Sequence, residues 1–190
     1  MTHQNTRSIT RDLVKDFVYY RLQKAGYNDL SDSDVQNIST ASASLKRTLR
    51  MMGDEFTNAY FQAFDDMTSS INIHGDDLHE VLLNIFNVTC DSGIEYGRIV
   101  GIFVFTALLA VKARDCNRTD VVENLIYWTG DYLEGTQFSN WINQHGGWDG
   151  FIQFYKSPKA RHQEQFWAQA YTVGINVFNR VASIANIFMH

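Results

Sequence analysis

GIEYGRIVGIFVFTALLAVK, Gly93 to Lys112, is the stretch whose reading decides the fold. From Ile99 to Val111 only Gly101 and Thr106 interrupt an apolar run, with Arg98 before it and Lys112 and Arg114 at its far end. A helix that is apolar on every side has to be surrounded, by other helices or by lipid. As a helix, the run from Ile99 to Val111 extends roughly 20 Å, short of the ~30 Å hydrocarbon core of a bilayer. That length predicts the buried central helix of a bundle. Gly93, Gly97 and Gly101 recur at every fourth position, which predicts a smooth face along which another backbone can come close.

The rest of the chain agrees with a bundle. Its 190 residues suffice for one domain with one sizeable core. A composition of 45% hydrophobic and 14% aromatic residues excludes general disorder. With Pro158 as the single proline, few helix breakers are present, so a mostly helical chain is expected. The net charge of −5 leaves no basic footprint for nucleic acid. Cys90 and Cys116 form no disulfide framework, which favours a reducing compartment and makes the glycosylation-type triplets at Asn37, Asn87 and Asn117 chance matches. The polar start, MTHQNTRSIT, does not read as a signal peptide.

Upstream of the central run, Leu13, Val14, Phe17, Val18 and Leu22 mark an amphipathic helix over Asp12–Lys24, with Ser8 or Thr10 as cap and Gly26 beyond its end. Residues 27–40 read as a polar connector. Leu45, Leu49, Met52 and Phe56 fall on one helical stripe, followed by Tyr60, Phe61, Phe64 and Met67 with a looser helical period. After breaks at Ser69-Ser70 and His74-Gly75, a helix is predicted over Asp76–Phe86, and Asn87–Ser92 as the loop into the central helix. Downstream, Asn117 or Thr119 is the expected cap of a helix bearing Val122, Leu125, Ile126, Tyr132 and Leu133. Phe138–Tyr155 divides at Gly146-Gly147 into two short helices anchored by Trp141 and Trp148, and Pro158 ends this unit. A last amphipathic helix is predicted from about Arg161 to Phe188.

Catalytic and metal signatures are weak. His74, Asp76, Asp77, His79 and Glu80 are the densest group of potential ligands, but histidines five apart do not align on one helix face, and acidic residues at a helix start are explained by its dipole. No phosphate loop, nucleophile elbow or dinucleotide fingerprint occurs. No enzyme activity, cofactor or metal is therefore expected. The residues alone describe an all-α bundle that binds something.

Four separated stretches resemble the motifs of one family. DLVKDFVYYRL (Asp12–Leu22), LKRTLRMMGDEF (Leu45–Phe56), EYGRIVGIFVF (Glu95–Phe105) and WINQHGGWDGFIQFY (Trp141–Tyr155) resemble the fourth, third, first and second homology motifs of the B-cell lymphoma 2 (Bcl) family of apoptosis regulators, in the family's order. The resemblance implies a globular helical bundle over residues 1–160 around a central hydrophobic hairpin, Ile94–Ala113 with Asp120–Glu134. It also implies a hydrophobic surface groove. Floor and walls would come from Phe56, Tyr60, Phe64, Met67, Val81, Leu82, Ile85, Phe105 and Tyr155. Arg98 would pair with an aspartate of the ligand, and Gly97 would let the ligand backbone approach. For Arg98, Gly97, Phe56 and Tyr60 a purely structural role stands beside the binding one. Where the family's first motif reads Asn-Trp-Gly-Arg, this chain has Glu95-Tyr96-Gly97-Arg98. Glu95 puts a carboxylate beside the ligand contact and bears on partner choice.

What the resemblance implies about function is helix capture. The expected partners are the amphipathic death-motif helices of pro-apoptotic relatives, both Bax/Bak-like and motif-only members, bound through apolar residues at i, i+3 or i+4, and i+7. The expected role is pro-survival, in the cytoplasm at or near the mitochondrial outer membrane; the alternative is a pore-forming effector similar to Bax or Bak. Family members often end in a membrane-spanning helix. Here Phe166–Phe188 carries Gln169, Asn176, Asn179, Arg180 and Asn186, so residues 161–190 are expected to dock on the bundle or lie at a membrane surface.

Overall fold

In the computed structural model, residues 2–29 and 41–157 are described, and these contain eight helices and no strand. They are α1 (Thr2–Lys24), α2 (Ala43–Ala59), α3 (Phe61–Ser70), α4 (Leu78–Cys90), α5 (Tyr96–Asp115), α6 (Thr119–Glu134), α7 (Thr136–Gln144) and α8 (Gly147–Lys156). The expected helix at 161–190, the stop at Pro158 and most of the 27–40 connector lie outside the described residues.

The apolar run forms α5, and α1, α2, α3, α4 and α6 all pack against it. Ile99, Val100, Ala107, Leu109, Ala110 and Ala113 have no exposed surface. At 20 residues the whole helix is long enough to cross a membrane, yet 72% of its most apolar stretch is buried inside the bundle. Burial, more than length, makes it a core helix. Its buried polar side chain, Thr106, donates to the Ile102 carbonyl at 2.8 Å and lies 3.0 Å from the Thr129 hydroxyl of α6, so neither hydroxyl is stranded in the core.

Two ionic clusters fasten α1 to α2. Asp16, 6% exposed, accepts two hydrogen bonds from Arg50 (2.8 and 3.0 Å) and lies 3.3 Å from Lys46. Asp54 accepts from Tyr20 (2.5 Å), Arg21 (2.9 Å) and Lys24 (2.9 Å). Between the clusters the helices nearly touch. A Cβ on Gly53 would lie 2.3 Å from the ring of Phe17, which is why a glycine stands inside the Leu45–Phe56 stripe.

Several boundaries differ from the sequence reading. α1 begins at Thr2, so Ser8 and Thr10 lie inside it; Thr10 is buried and accepts a hydrogen bond from the Trp148 indole at 3.1 Å. α4 starts at Leu78 and runs on to Cys90, because Val88 and Cys90 continue its apolar face, and only residues 91–95 link it to α5. Gly93 stands outside α5 with φ +117°, a turn conformation, so the shared glycine face reduces to Gly97 and Gly101. Arg118 takes the N-cap position of α6, and Asn117 adopts a positive φ of 58°. The break at Gly146-Gly147 is found as expected, with φ of +86° and +67°.

Burial works against ionisation of Asp54, but the hydrogen bonds from Tyr20, Lys24 and Arg21 and the charge of Lys24 outweigh it and hold the carboxyl below its usual range. A carboxylate with a depressed folded pKa stabilises fully above its unfolded value of about 3.9 and loses that contribution as pH falls through the folded value. Thermal unfolding measured against pH should therefore lose stability on acidification below about pH 4, and Asp54→Asn should flatten that part of the profile while lowering stability at neutral pH.

Candidate functional site

A groove opens beside α5 where α2, α3 and α4 do not close over it. It holds about 540 Å³ of space, counting the open solvent at its mouth, and is mostly apolar. α2 and the turn after it contribute Phe56 and Tyr60, and α3 contributes Ala63, Phe64 and Met67. α4 contributes Ile85, Phe86 and Thr89, and α5 contributes Gly97, Arg98, Gly101, Ile102 and Phe105. The wall toward α2 is an aromatic ladder. The Phe56 ring packs edge-on against Tyr60 and Phe64, each with a centroid distance of 5.3 Å. A Cβ at Gly101 would come within 3.3 Å of Phe56, so the missing side chain lets this ring lie against α5.

Eight of the twelve sequence-derived groove residues line this space: Phe56, Tyr60, Phe64, Met67, Ile85, Gly97, Arg98 and Phe105. The other four do not. Leu82 is fully buried in the core, and Val81 is half-buried against it. Tyr155 donates from its hydroxyl to Glu55 at 3.0 Å, tying α8 to α2. Glu95 is exposed at the N-cap position of α5, where its side chain caps no backbone amide. Ala63, Phe86, Thr89, Gly101 and Ile102 were missed. Gly101 and Ile102 stood inside the motif, and their helical spacing from Gly97, Arg98 and Phe105 was the available signal. Thr89 was hidden by the loop expected at 87–92.

Arg98 stands half-buried in the lining. Its Nη1 donates to the Gly93 carbonyl at 3.1 Å and, more weakly, to the Thr89 carbonyl at 3.4 Å. Among the described residues it has no carboxylate partner, whereas Arg11, Arg21, Arg50, Arg114 and Arg118 each have one. The guanidinium offers five donors, and the bonds described occupy Nη1 alone. Tyr96, beside it, is buried. It packs against Trp141, Phe151 and Phe154, and its hydroxyl donates to the His145 carbonyl at 3.1 Å. An apolar body with a polar tip thus joins the start of α5 to α7 and α8.

The 74–80 group does not assemble. His79 stacks on Trp128, His74 faces Arg118, and among the described residues no three His, Cys, Asp or Glu side chains come together to hold a metal.

Fold and groove together define an all-α bundle that keeps an apolar furrow open beside its buried central helix. Residues 49–148 match the pattern of the apoptosis regulator proteins of the Bcl-2 family. The chain is 27% identical to Bcl-2-like protein 1 of Homo sapiens over 206 residues, covering 82% of this chain and 88% of that one. It is 31% identical to apoptosis regulator R1 of Xenopus laevis over 169 residues, covering 86% and 71%. The chain belongs to the Bcl-2 family of apoptosis regulators.

Cys90 lies at the end of α4, near Arg98. Burial pushes its thiol up to about 11, although the Arg98 charge pulls the other way. At pH 8 on the order of one Cys90 in a thousand carries the reactive thiolate. Labelling with a thiol reagent under native conditions should modify the half-buried Cys116 first and leave Cys90 unmodified until the protein is denatured, as read by peptide mass mapping.

Proposed function

We propose that this protein is a pro-survival regulator that captures the death-motif helix of pro-apoptotic relatives in the groove beside α5. The observation that carries this reading is an open apolar groove whose lining includes an arginine without a carboxylate partner among the described residues. An amphipathic helix repeats its apolar face every three or four residues, so i, i+3 or i+4, and i+7 side chains can enter such a furrow together. An aspartate on the same helix supplies the charge that Arg98 lacks, and a hydrogen bond to a charged group is worth roughly 1.5–3 kcal/mol net. Gly97 admits the ligand backbone beside that pair. The twelve residues derived from the sequence divide under this reading. The eight that line the groove touch ligand, Glu95 at the rim biases partner choice by charge, and Val81, Leu82 and Tyr155 support the walls.

The similarity to Bcl-2-like protein 1 over most of both chains supports the pro-survival role over the pore-forming one. Interaction with other members of the family follows from membership; capture of their death-motif helices is the finer proposal. Capture needs no cofactor and no bond-making step. The site of action would be the cytoplasm at or near the mitochondrial outer membrane, with residues 161–190 as a docking or membrane-surface helix appended to a bundle over 1–160.

Two measurements test the proposal. Calorimetry against a panel of death-motif peptides should give dissociation constants in the micromolar range or tighter, and Arg98→Ala should weaken the best of them about 10- to 100-fold, which corresponds to about 1.5–3 kcal/mol. Absence of binding across the panel, or an unchanged constant in Arg98→Ala, would overturn the role assigned to the groove. Liposomes loaded with dye and exposed to a pore-forming relative should be protected by this protein. Dye release by the protein itself would favour the effector.

A further inference from the structure

α3 is the shortest of the helices that wall the groove. It has ten residues, no basic residue in its last turn, and substantial contacts only with α5 and α2. A helix this short does not persist in water without tertiary support. Its C-terminal carbonyls must also find donors, because the last turn has none within the helix. Ser70 supplies one, its hydroxyl donating to the Met67 carbonyl at 2.7 Å. Thr68 accepts from the Ile71 amide at 3.3 Å. Lys112 of α5 supplies further donors: its Nζ donates to the carbonyls of Thr68 (2.6 Å), Ser69 (3.0 Å) and the following Ile71 (2.7 Å).

An ammonium group has three donors, and all three are spent on this one turn. Among the described residues Lys112 has no carboxylate partner, so its charge sits against the negative end of the α3 dipole alone. Gly101, Phe105 and Lys112 follow each other by whole turns of α5, so the lysine continues the stripe that floors the groove.

We infer that Lys112 is the positioning residue of the α3 wall: by capping α3 from α5 it keeps Phe64 and Met67 in the groove lining, and ligand affinity depends on it although it lines no part of the groove. The dependence of affinity rests on the helix-capture function proposed above; the hold on α3 does not.

Hydrogen exchange of the unliganded full chain, followed by mass spectrometry, reads the hold directly. Lys112→Met should speed exchange of the 61–71 amides about tenfold, as expected for losing a charged cap, while exchange in α6 stays at the wild-type rate. A death-motif peptide should leave this variant about tenfold faster. Lys112→Arg, which keeps the charge and the donors, should restore most of both. Val121→Ala, a core truncation on α6, should lower the melting temperature without changing either reading, which separates positioning from stability in general. Should Lys112→Met fail to fold, Lys112→Gln takes its place with the same expectations. Exchange in 61–71 within twofold of wild type, or equal changes in Val121→Ala, would overturn the inference. Loss of all peptide binding by the wild type would overturn the proposed function alone, and the exchange measurement would still decide the role of Lys112.

Discussion

The burial of α5 is the constraint on which everything else depends. Each large apolar side chain taken out of water contributes about 1.5–3 kcal/mol, and this helix presents such side chains on every face. It therefore recruits neighbours all round, and α1, α2, α3, α4 and α6 supply them. Sheathing a cylinder with short, connected helices leaves a gap where two walls diverge. Here the gap runs along Gly97, Gly101 and Phe105, on the stripe where α5 carries its smallest residues. The groove is thus a consequence of the packing problem posed by the apolar run, placed where missing side chains make closure least rewarding.

Charge is distributed to match. The α1–α2 contact, which stays shut, has its ions paired: Asp16 with Arg50 and Lys46, Asp54 with Arg21 and Lys24. At the groove, the cations Arg98 and Lys112 have only backbone carbonyls as partners among the described residues. They differ in how completely those carbonyls satisfy them. Lys112 has every donor engaged within hydrogen-bonding distance. Arg98 uses one nitrogen, on one ordinary bond and one long one, and keeps its remaining donors available beside an apolar furrow. One cation is therefore suited to holding the protein together and the other to meeting an anion from outside.

The sequence was legible where a period or a motif constrains a whole face. The stripe of Leu45, Leu49, Met52 and Phe56, the central helix and the break at Gly146-Gly147 each follow from local chemistry. Placement within a buried face was not legible. Leu82 and Ile85 share one side of α4, but Ile85 lines the groove whereas Leu82 is fully buried in the core. Period alone cannot tell these two fates apart. Gly93 shows the same limit from the other side. Its spacing matched Gly97 and Gly101, but a left-handed turn ended the helix register before it could join them. The end of α4 was missed because Val88 and Cys90 pack against the core and carry the helix past a weak local stop signal.

An empty apolar groove is under pressure to collapse, since closing it would remove the same surface that a ligand covers. It stays open because each wall is held from behind. α2 is pinned on its far side to α1 by the two ionic clusters, and its Glu55 to Tyr155 of α8. α4 is braced by Tyr132 of α6, whose ring packs at a tilt against Phe86 and whose hydroxyl donates to Asn87 at 3.1 Å, and by the stacking of His79 on Trp128. α3 has Lys112. Polar and aromatic contacts suit this duty because they are directional: they fix a wall at a set distance, where further apolar contact would draw it inward. The hydrophobic core gives this protein its stability, and the contacts behind the walls preserve the shape of the space left unfilled.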